Sequence, residues 1–485
     1  MAAEQKVSRT ELKEQELKLL FEVYKNDPKL FLRPTFIEDA KTLADFGIYI
    51  PEKDTFPFGV IKFVPQDFIV EEVSESGEVF TIKKENWLSS ETVLSEGSTL
   101  YATLVKCGLS TLQAAAEIAT HFSCSPEQIR YAGLKDRDAI TAQRLSFRQI
   151  SLKQLKTLNS PHLFLKDVAS GKGALEKGKL KGNQFTIFLR TEKTFIESGR
   201  GAVFINQLAK VREKGFYNYF YLQRFGTPRL IAHYLGMDLV HGYYRKALET
   251  FICFPSPNEI PYFKNIRKEL RKNFGNWSQM LAVMESFPLI LGNELKVVRY
   301  LEQKPEDFAG ALLQIQDQAG MWVGAFSSWL FNQKVASYLK KGEEPPQSLP
   351  LFLDTANSGS VYKELMRELR VSVNDFRNLR KLPFIQAPKR PLVTRELVMI
   401  DKAEIADAGI VLKFFLPKGE YATTFLSHLF NLISDRPPIE IDQTIVDTKA
   451  ALGDGSNAET LEYFAPVIHP KSANYFEELL KEEGQ

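Results

Sequence analysis

Residues Tyr131–Phe147, with the sequence YAGLKDRDAITAQRLSF, place a dense run of charge directly before an apolar stretch. Four charged residues, Lys135–Asp138, follow a small residue, a glycine and a leucine, and apolar and hydroxyl side chains come next. By composition this pattern predicts a solvated turn between two strands. The alternative is a carboxylate held at a strand end with cations on both sides, which favour the ionised form that a nucleophile or general base needs. The residues alone leave both interpretations open.

Short runs of β-branched and aromatic residues around this segment predict a sheet. Val60–Val64 and Asp67–Val73 predict two strands that Pro65 separates. Ser98–Val105 and Gln184–Leu189 predict two more. Helical patterns lie between these strands, so the first half of the chain combines α and β structure.

The second half begins with a long helical block. Between about Gly226 and Arg395 the pattern is helical and rich in charge, with breaks at prolines. Gly409–Leu416 then predicts a strand and Tyr421–Ile433 a helix, so a helical block inserted into a sheet domain explains the order. We therefore predict an α+β fold in five segments: an N-terminal helical extension (1–56), the first part of the sheet domain (57–226), the inserted domain (227–395), the last part of the sheet domain (396–434) and a C-terminal extension (435–485).

The composition is that of a globular protein with balanced charge. Among the 485 residues, 62 Lys or Arg face 60 Asp or Glu, so the formal net charge is only +2. This balance excludes a uniformly basic nucleic-acid coat but not a single basic groove. Two basic segments, Tyr262–Trp277 and Arg377–Arg395, are candidates for RNA contact, and a charged solvent face is the alternative.

The common metal, cofactor and membrane signals do not occur in the sequence. The three cysteines form no CxxC pair and the six histidines no HExxH motif. Gly173–Leu180 has the spacing of a phosphate-binding loop, but Leu180 stands where that loop needs Ser or Thr. No apolar run is long enough for a bilayer, and the first residues lack the apolar core of a signal peptide. We predict a cytoplasmic protein with no metal, no cofactor and no membrane contact.

An aromatic cluster, Tyr217–Gly226 (YNYFYLQRFG), is the second candidate for function. Aromatic faces can stack on unpaired bases, while Asn218, Gln223 and Arg224 can supply hydrogen bonds to RNA. The alternative is an aromatic core at the end of a helix.

Taken together, several separated segments resemble the TruD family of tRNA pseudouridine synthases and occur in the family's order. These segments are GVIKFVPQDFIVEE (Gly59–Glu72), AGLKDRDAITAQ (Ala132–Gln143), LKGNQFTIFLR (Leu180–Arg190), NYFYLQRFG (Asn218–Gly226), SSWLFNQ (Ser327–Gln333) and LPKGEYATTFL (Leu416–Leu426). The resemblance covers roughly Phe58 to Ile433. It implies a pseudouridine-synthase mixed sheet as catalytic domain, interrupted by an α/β insertion domain, with a central cleft that binds RNA.

The resemblance also implies roles for four residues of the sheet domain. Asp136 follows the family's G-x-K frame and corresponds to the catalytic aspartate. Lys62 corresponds to an active-site lysine, which would keep Asp136 charged. Asn183 and Phe185 correspond to residues that line the uridine pocket, where Phe185 would stack on the base and Asn183 bind its edge.

The QRFG motif extends the implied substrate-binding set. Gln223, Arg224 and Phe225 correspond to residues that frame the same cleft, and Asn218 stands beside them as a further candidate. Tyr221 departs from the family, which usually has a small residue at this position.

The implied reaction is the isomerisation of uridine to pseudouridine in tRNA, with uridine 13 as the implied target. Because no atom is gained or lost, the reaction needs no redox or metal cofactor. Asp136 would either attack C1′ or remove the C2′ proton, and the sequence leaves both routes open. The implied partner is tRNA, and a monomer is favoured. The rival interpretations are a non-catalytic RNA-binding protein that uses the same cleft, and an RNA methyltransferase, for which we find no cofactor loop.

Overall fold

The computed structural model describes residues 9–84, 87, 99–352, 358–385, 392–406, 408–434 and 437–483. The chain divides into two compact units. We call the first the sheet unit, formed by Glu52–Phe216 and Glu396–Lys471. The second is the helical unit, formed by Met1–Pro51, Tyr217–Arg395 and Ser472–Gly484. The functional meaning of the five predicted segments stays a prediction.

A mixed sheet forms the centre of the sheet unit, so the predicted α+β class is confirmed. In chain order its strands are β1 Phe58–Val60, β2 Phe68–Val73, β3 Thr99–Cys107, β4 Ile129–Tyr131, β5 Ile140–Phe147, β6 Leu163–Gly171, β7 Gly182–Arg190, β8 Met399–Ala406, β9 Gly409–Pro417 and β10 Asn431–Ile433.

The strand order brings distant parts of the sequence side by side. Neighbouring strands follow the order β10, β1, β7, β2, β5, β3 and β6, while β9 pairs with β7, β8 with β9, and β4 with β5. The pairs β10–β1 and β2–β5 are parallel, and β2–β7 and β3–β5 are antiparallel. The segments that follow β1 and β4 therefore both connect strands of one continuous sheet.

The register places several polar side chains together on one face in the middle of this sheet. Glu72 on β2 lies opposite Asn183 on β7, and Lys106 on β3 lies opposite Thr141 on β5. Because side chains alternate along a strand, these residues share one face, which we call the site face. The neighbouring residues on the same strands point the other way, to what we call the back face.

Buried apolar side chains cover the back face. Those contributed by the strands are Ile69, Val105, Cys107, Ile140 and Ala142. Phe464 and Val467, from the C-terminal part of the chain, pack into the same cluster. The C-terminal segment is thus part of the core of the sheet unit.

The sheet unit also contains the helices α1 Thr111–His121, α2 Leu152–Leu155, α3 Arg200–Lys214, α4 Ala422–Ser427, α5 Thr448–Ala451 and α6 Ala458–Phe464. Helix α1 begins at a capping box, where the Ser110 hydroxyl accepts a hydrogen bond from the Gln113 amide at 3.2 Å. The apolar residues of α1, among them Ala114 and Ile118, pack against Leu104 and Leu145 of the sheet.

Two predicted elements differ from the structure. The predicted helix Tyr421–Ile433 is wrong in its second half, because α4 ends at Ser427 and Asn431–Ile433 forms β10. This strand pairs in parallel with β1, more than 370 residues earlier in the chain, and such distant pairing leaves no local signal. The strand predicted at Val60–Val64 ends at Val60, and Pro65 instead begins a 3-10 turn, Pro65–Asp67. Ser98 lies outside the described residues.

The helical unit consists mainly of α-helices: Arg9–Asn26, Ala40–Ala44, Ala232–His241, Tyr244–Cys253, Pro261–Lys272, Trp277–Met284, Gly292–Gln303, Phe308–Leu313, Gln316–Lys340, Ser358–Val361, Lys363–Glu368 and Tyr475–Glu483. An aromatic cluster joins the two ends of the chain, since Phe31 contacts Tyr24, Tyr262 and Phe476 with ring centroids 5.2–5.9 Å apart. In the described part of the chain, no helix has the length and apolar character that crossing a bilayer requires.

Candidate active site

An ion pair between Lys62 and Asp136 lies at the centre of the candidate site. Asp136 is in the loop between β4 and β5, and Lys62 is in the segment after β1. The Lys62 Nζ atom lies 2.7 Å from Asp136 Oδ1. The Asp136 side chain keeps 43% of its surface exposed, against 17% for Lys62. The structure therefore offers a carboxylate that a ligand can reach, held from one side by a cation.

Opposing effects act on the pKa of Asp136. Burial among protein atoms raises it, while the charge and hydrogen bond of Lys62 and the charge of Lys106 lower it. The lowering effects prevail, so the pKa of this carboxyl lies below its ordinary value and the group is ionised at neutral pH.

Aromatic rings extend from Lys62 into the sheet. The Lys62 ammonium lies 4.2 Å from the ring centroid of Phe68, a cation–π contact. Phe68 meets Phe185 edge to face at 6.1 Å, and Phe185 stacks on Phe414 at 5.2 Å. Phe185 is only 5% exposed, so the structure connects it to the ion pair through Phe68.

Lys106, which the sequence analysis did not single out, binds the backbone of the loop that carries Asp136. Its side chain is fully buried, and its Nζ donates hydrogen bonds to the backbone carbonyls of Asp136 at 2.7 Å and Leu109 at 2.5 Å. Burial lowers the pKa of Lys106 to about 7, although the Asp136 charge works in the opposite direction. A lysine inside an otherwise apolar strand is the one sequence signal for this residue.

Two further side chains fix the same loop. The Thr111 hydroxyl accepts a hydrogen bond from the Lys135 amide at 2.8 Å. It donates to Gln143 Oε1 at 2.9 Å, and the Gln143 amide donates to the Gly133 carbonyl at 3.0 Å. Together with Lys106, these contacts hold the backbone at Gly133, Lys135 and Asp136, so the carboxylate stands on a preorganised turn.

Asn183 belongs to a second, buried polar cluster beside this turn. The Lys135 ammonium lies 2.7 Å from Glu72 Oε2, and both side chains are 2% exposed. It also donates to Asn183 Oδ1 at 2.7 Å. Because an ammonium only donates, the Asn183 oxygen faces Lys135 and its NH2 group points elsewhere.

The other candidate residues belong to the helical unit. Gln223 and Arg224 are exposed, and the Arg224 Nε donates to the Ser328 hydroxyl at 3.1 Å. Asn218 is buried and donates to the Val393 carbonyl at 3.3 Å, while Phe225 is fully buried. The aromatic-core interpretation thus holds for Phe225.

Tyr221, the departure from the family pattern, is buried in the helical unit. Its hydroxyl donates a hydrogen bond to the carboxylate of Glu38, which is 5% exposed. The larger side chain therefore makes its own buried polar contact.

The basic segments of the helical unit have two different environments. Arg267, in helix Pro261–Lys272, is buried and pairs with Glu259 at 2.8 Å and Glu294 at 3.2 Å, so it is structural. Arg380 and Lys381 are exposed, whereas Lys389 and Arg390 lie outside the described residues.

No three His, Cys, Asp or Glu side chains of the described residues come together in a set that could hold a metal ion. At Asp136 the structure places an ionised carboxylate beside the ammonium of Lys62.

The family comparison identifies the chain. The family model described as tRNA pseudouridine synthase D (TruD) matches residues 46–349, more than half of the 485 residues. The chain belongs to the TruD family. It is therefore a pseudouridine synthase, an isomerase, and the predicted family is confirmed.

Relatives and a solved structure agree with this membership. The tRNA pseudouridine synthase D 1 of Methanocaldococcus jannaschii is 27% identical over 396 residues, covering 77% of this chain and 95% of the relative. The tRNA pseudouridine synthase D of Pyrococcus furiosus is 26% identical over 428 residues, covering 76% and 95%. A crystal structure of the Methanosarcina mazei TruD protein superimposes with a TM-score of 0.64 at 23% identity, covering 81% of this chain and 98% of that one, and shows the same fold.

Proposed function

We propose that this TruD-family protein isomerises uridine 13 of tRNA to pseudouridine, with Asp136 as the catalytic carboxylate. The observation that carries the proposal is the exposed Asp136 carboxylate, held ionised by Lys62 at 2.7 Å on a turn with a fixed backbone. A nucleophile or general base needs the same two properties, charge and access. Lys62 supplies the charge support, and the turn supplies the position.

The reaction needs few groups from the protein besides an ionised carboxylate and the lysine beside it. The N1–C1′ bond breaks, the uracil turns, and a C5–C1′ bond forms, so atoms and electrons balance within the substrate. Asp136 either attacks C1′ or removes the C2′ proton to give a glycal. Both routes begin from the ionised carboxylate, which agrees with the lowered pKa of Asp136.

We further propose that Asn183 binds the edge of a flipped-out uracil. Because Lys135 donates to Asn183 Oδ1, the NH2 group of Asn183 is the part of the amide that can bind the base. This group can donate a hydrogen bond to the O2 or O4 carbonyl oxygen of uracil. Flipping the base costs a few kcal/mol, which such hydrogen bonds and stacking offset. Phe185 is 5% exposed and meets Phe68 edge to face, so we propose that it supports Phe68 beside the base.

Within the helical unit, the exposed Gln223 and Arg224 are the proposed RNA contacts of the QRFG motif. The buried Asn218 and Phe225 would support that motif from inside. Phosphate contacts make RNA binding strongly dependent on salt, even with a net charge of +2.

The test is incubation of the full chain with unmodified tRNA transcripts and no added cofactor, followed by carbodiimide mapping of pseudouridine. Wild type and the control Asp54→Asn, an exposed aspartate of the same unit, should give a stop at position 13. Asp136→Asn should give none while binding tRNA with nearly unchanged affinity. Turnover by Asp136→Asn would overturn the catalytic assignment, and a stop elsewhere would overturn the target. Tight binding by wild type without any pseudouridine would favour a non-catalytic RNA-binding protein.

A further inference from the structure

We infer that Lys471, in the C-terminal segment, is a positioning residue that ties the Lys62 segment to the Asp136 loop. This inference rests on the proposed function. It assigns a role to residues that come after the family-matched region, 46–349, and that the sequence analysis left without one.

The first contact is with the backbone next to Lys62. Lys62 has φ +53°, in the left-handed region that residues with a side chain rarely adopt. Such a conformation is unfavourable and persists only where neighbouring contacts hold it. The Ile61 amide donates to the Ile433 carbonyl at 3.2 Å, and the Lys471 amide donates to the Phe63 carbonyl at 2.9 Å. These two hydrogen bonds fix the chain on both sides of Lys62.

The second contact is with the loop that carries Asp136. The Lys471 Nζ atom lies 3.1 Å from Asp138 Oδ2, with side-chain exposures of 26% and 46%. Asp138 is two residues beyond Asp136 and stands at the centre of a tight turn, which a hydrogen bond from the Ala139 amide to the Arg137 carbonyl closes at 2.9 Å. One residue thus holds the two segments whose side chains must meet.

The C-terminal segment itself is firmly attached to the sheet. Phe464 is fully buried in the back-face cluster, and the Tyr463 hydroxyl donates to the Ser160 carbonyl at 2.6 Å. The Thr460 hydroxyl donates to the Ile82 carbonyl at 3.0 Å. Lys471 thus follows shortly after a segment that packs into the core of the sheet unit, which supports a positioning contact.

The ion pair is too exposed to contribute much to stability, which makes a specific prediction possible. Ion pairs of this exposure contribute little to the stability of a fold. A small displacement of a catalytic group, in contrast, can cost on the order of 100-fold in rate. We expect Lys471→Ala to reduce the single-turnover rate by about tenfold or more. The thermal midpoint and the affinity for tRNA should stay close to wild type.

The test compares Lys471→Ala with Lys471→Arg, Asp138→Asn and the double variant, in the full chain on the same tRNA transcript. Lys471→Arg should recover most of the rate. Asp138→Asn should lose about as much as Lys471→Ala, and the double variant no more than either, because both changes remove one contact. The control is Lys193→Ala, which removes an exposed ion pair with Glu440 in the same unit and should keep the wild-type rate.

Three results would overturn the inference. The first is a wild-type single-turnover rate in Lys471→Ala. The second is a weaker tRNA affinity with an unchanged rate at saturation, which indicates a phosphate contact instead. The third is additive losses in the double variant. The proposed function fails separately, if wild type itself forms no pseudouridine.

Discussion

Replacing Lys62 tests whether this lysine is what keeps Asp136 ionised. At 2.7 Å and an effective dielectric constant of about 20, the Coulomb attraction of the pair is about 6 kcal/mol. Since 43% of the Asp136 side chain is exposed, solvent screens most of this energy. The effect of Lys62 on the ionisation of Asp136 is therefore much smaller than the full Coulomb energy, on the order of 1 kcal/mol.

The sign of the effect follows from which form is active. Lys62→Met raises the pKa of Asp136, so the ionised fraction is lost at higher pH than in wild type. The acid limb of kcat/KM should move to higher pH, and the deficit of the variant should be largest at acid pH, about fivefold for a loss of roughly 1 kcal/mol.

The assay is kcat/KM for pseudouridine formation in one tRNA transcript from pH 4.5 to pH 8. Lys62→Arg keeps the charge and is the matched variant, so its acid limb should stay at the wild-type position. If Lys62→Met loses the same factor at every pH, Lys62 acts by some means other than ionising Asp136.

Three more measurements follow from buried contacts. Arg190 donates two hydrogen bonds of 2.8 Å to the Asp67 carboxylate, and both side chains are fully buried. Arg190→Met leaves the Asp67 charge without this partner, so the free energy of unfolding measured in urea should fall by about 3–5 kcal/mol. An unchanged urea midpoint would contradict this expectation. The pKa of Lys106 is about 7 in the folded protein, against an ordinary value of 10.5, so between these values the unfolded chain binds more protons than the folded one. The free energy of unfolding of wild type should therefore increase relative to that of Lys106→Met as the pH rises from 7 to 10, as measured by denaturant titration. Asn183→Ala removes one proposed hydrogen bond to the base and should lower kcat/KM by about tenfold, whereas full activity would exclude that contact.

Features encoded within a few residues could be predicted from the sequence. The Ser110 and Gln113 capping box marks the beginning of α1, and Pro65 separates strand sequence before it from β2. The G-x-K frame before Asp136 carried enough of the family pattern to propose the carboxylate, although only the resemblance could choose it over a solvated turn.

Features that depend on strand pairing could not be predicted in this way. The β10 strand resembles a helix end until it pairs with β1, hundreds of residues earlier. Lys106 meets the Asp136 carbonyl only because the β3–β5 register places it opposite Thr141, near the turn before β5. Lys471 approaches Asp138 across more than 330 residues of chain, and a single lysine in a loop gives no hint of that contact.

Lys62 and Lys106 act on Asp136 in different ways because they lie in different environments. A carboxylate that reacts with a substrate must be exposed, and exposure weakens any cation beside it through solvent screening. Lys106 avoids that loss by acting from a buried position on the backbone of Asp136, where it does not compete with substrate for the carboxylate. The same burial lowers its pKa to about 7, so its charge fades above neutral pH. Lys62, partly exposed and directly on the carboxylate, contributes more than Lys106 to lowering the pKa of Asp136, and it does so from a left-handed backbone conformation that neighbouring contacts must hold.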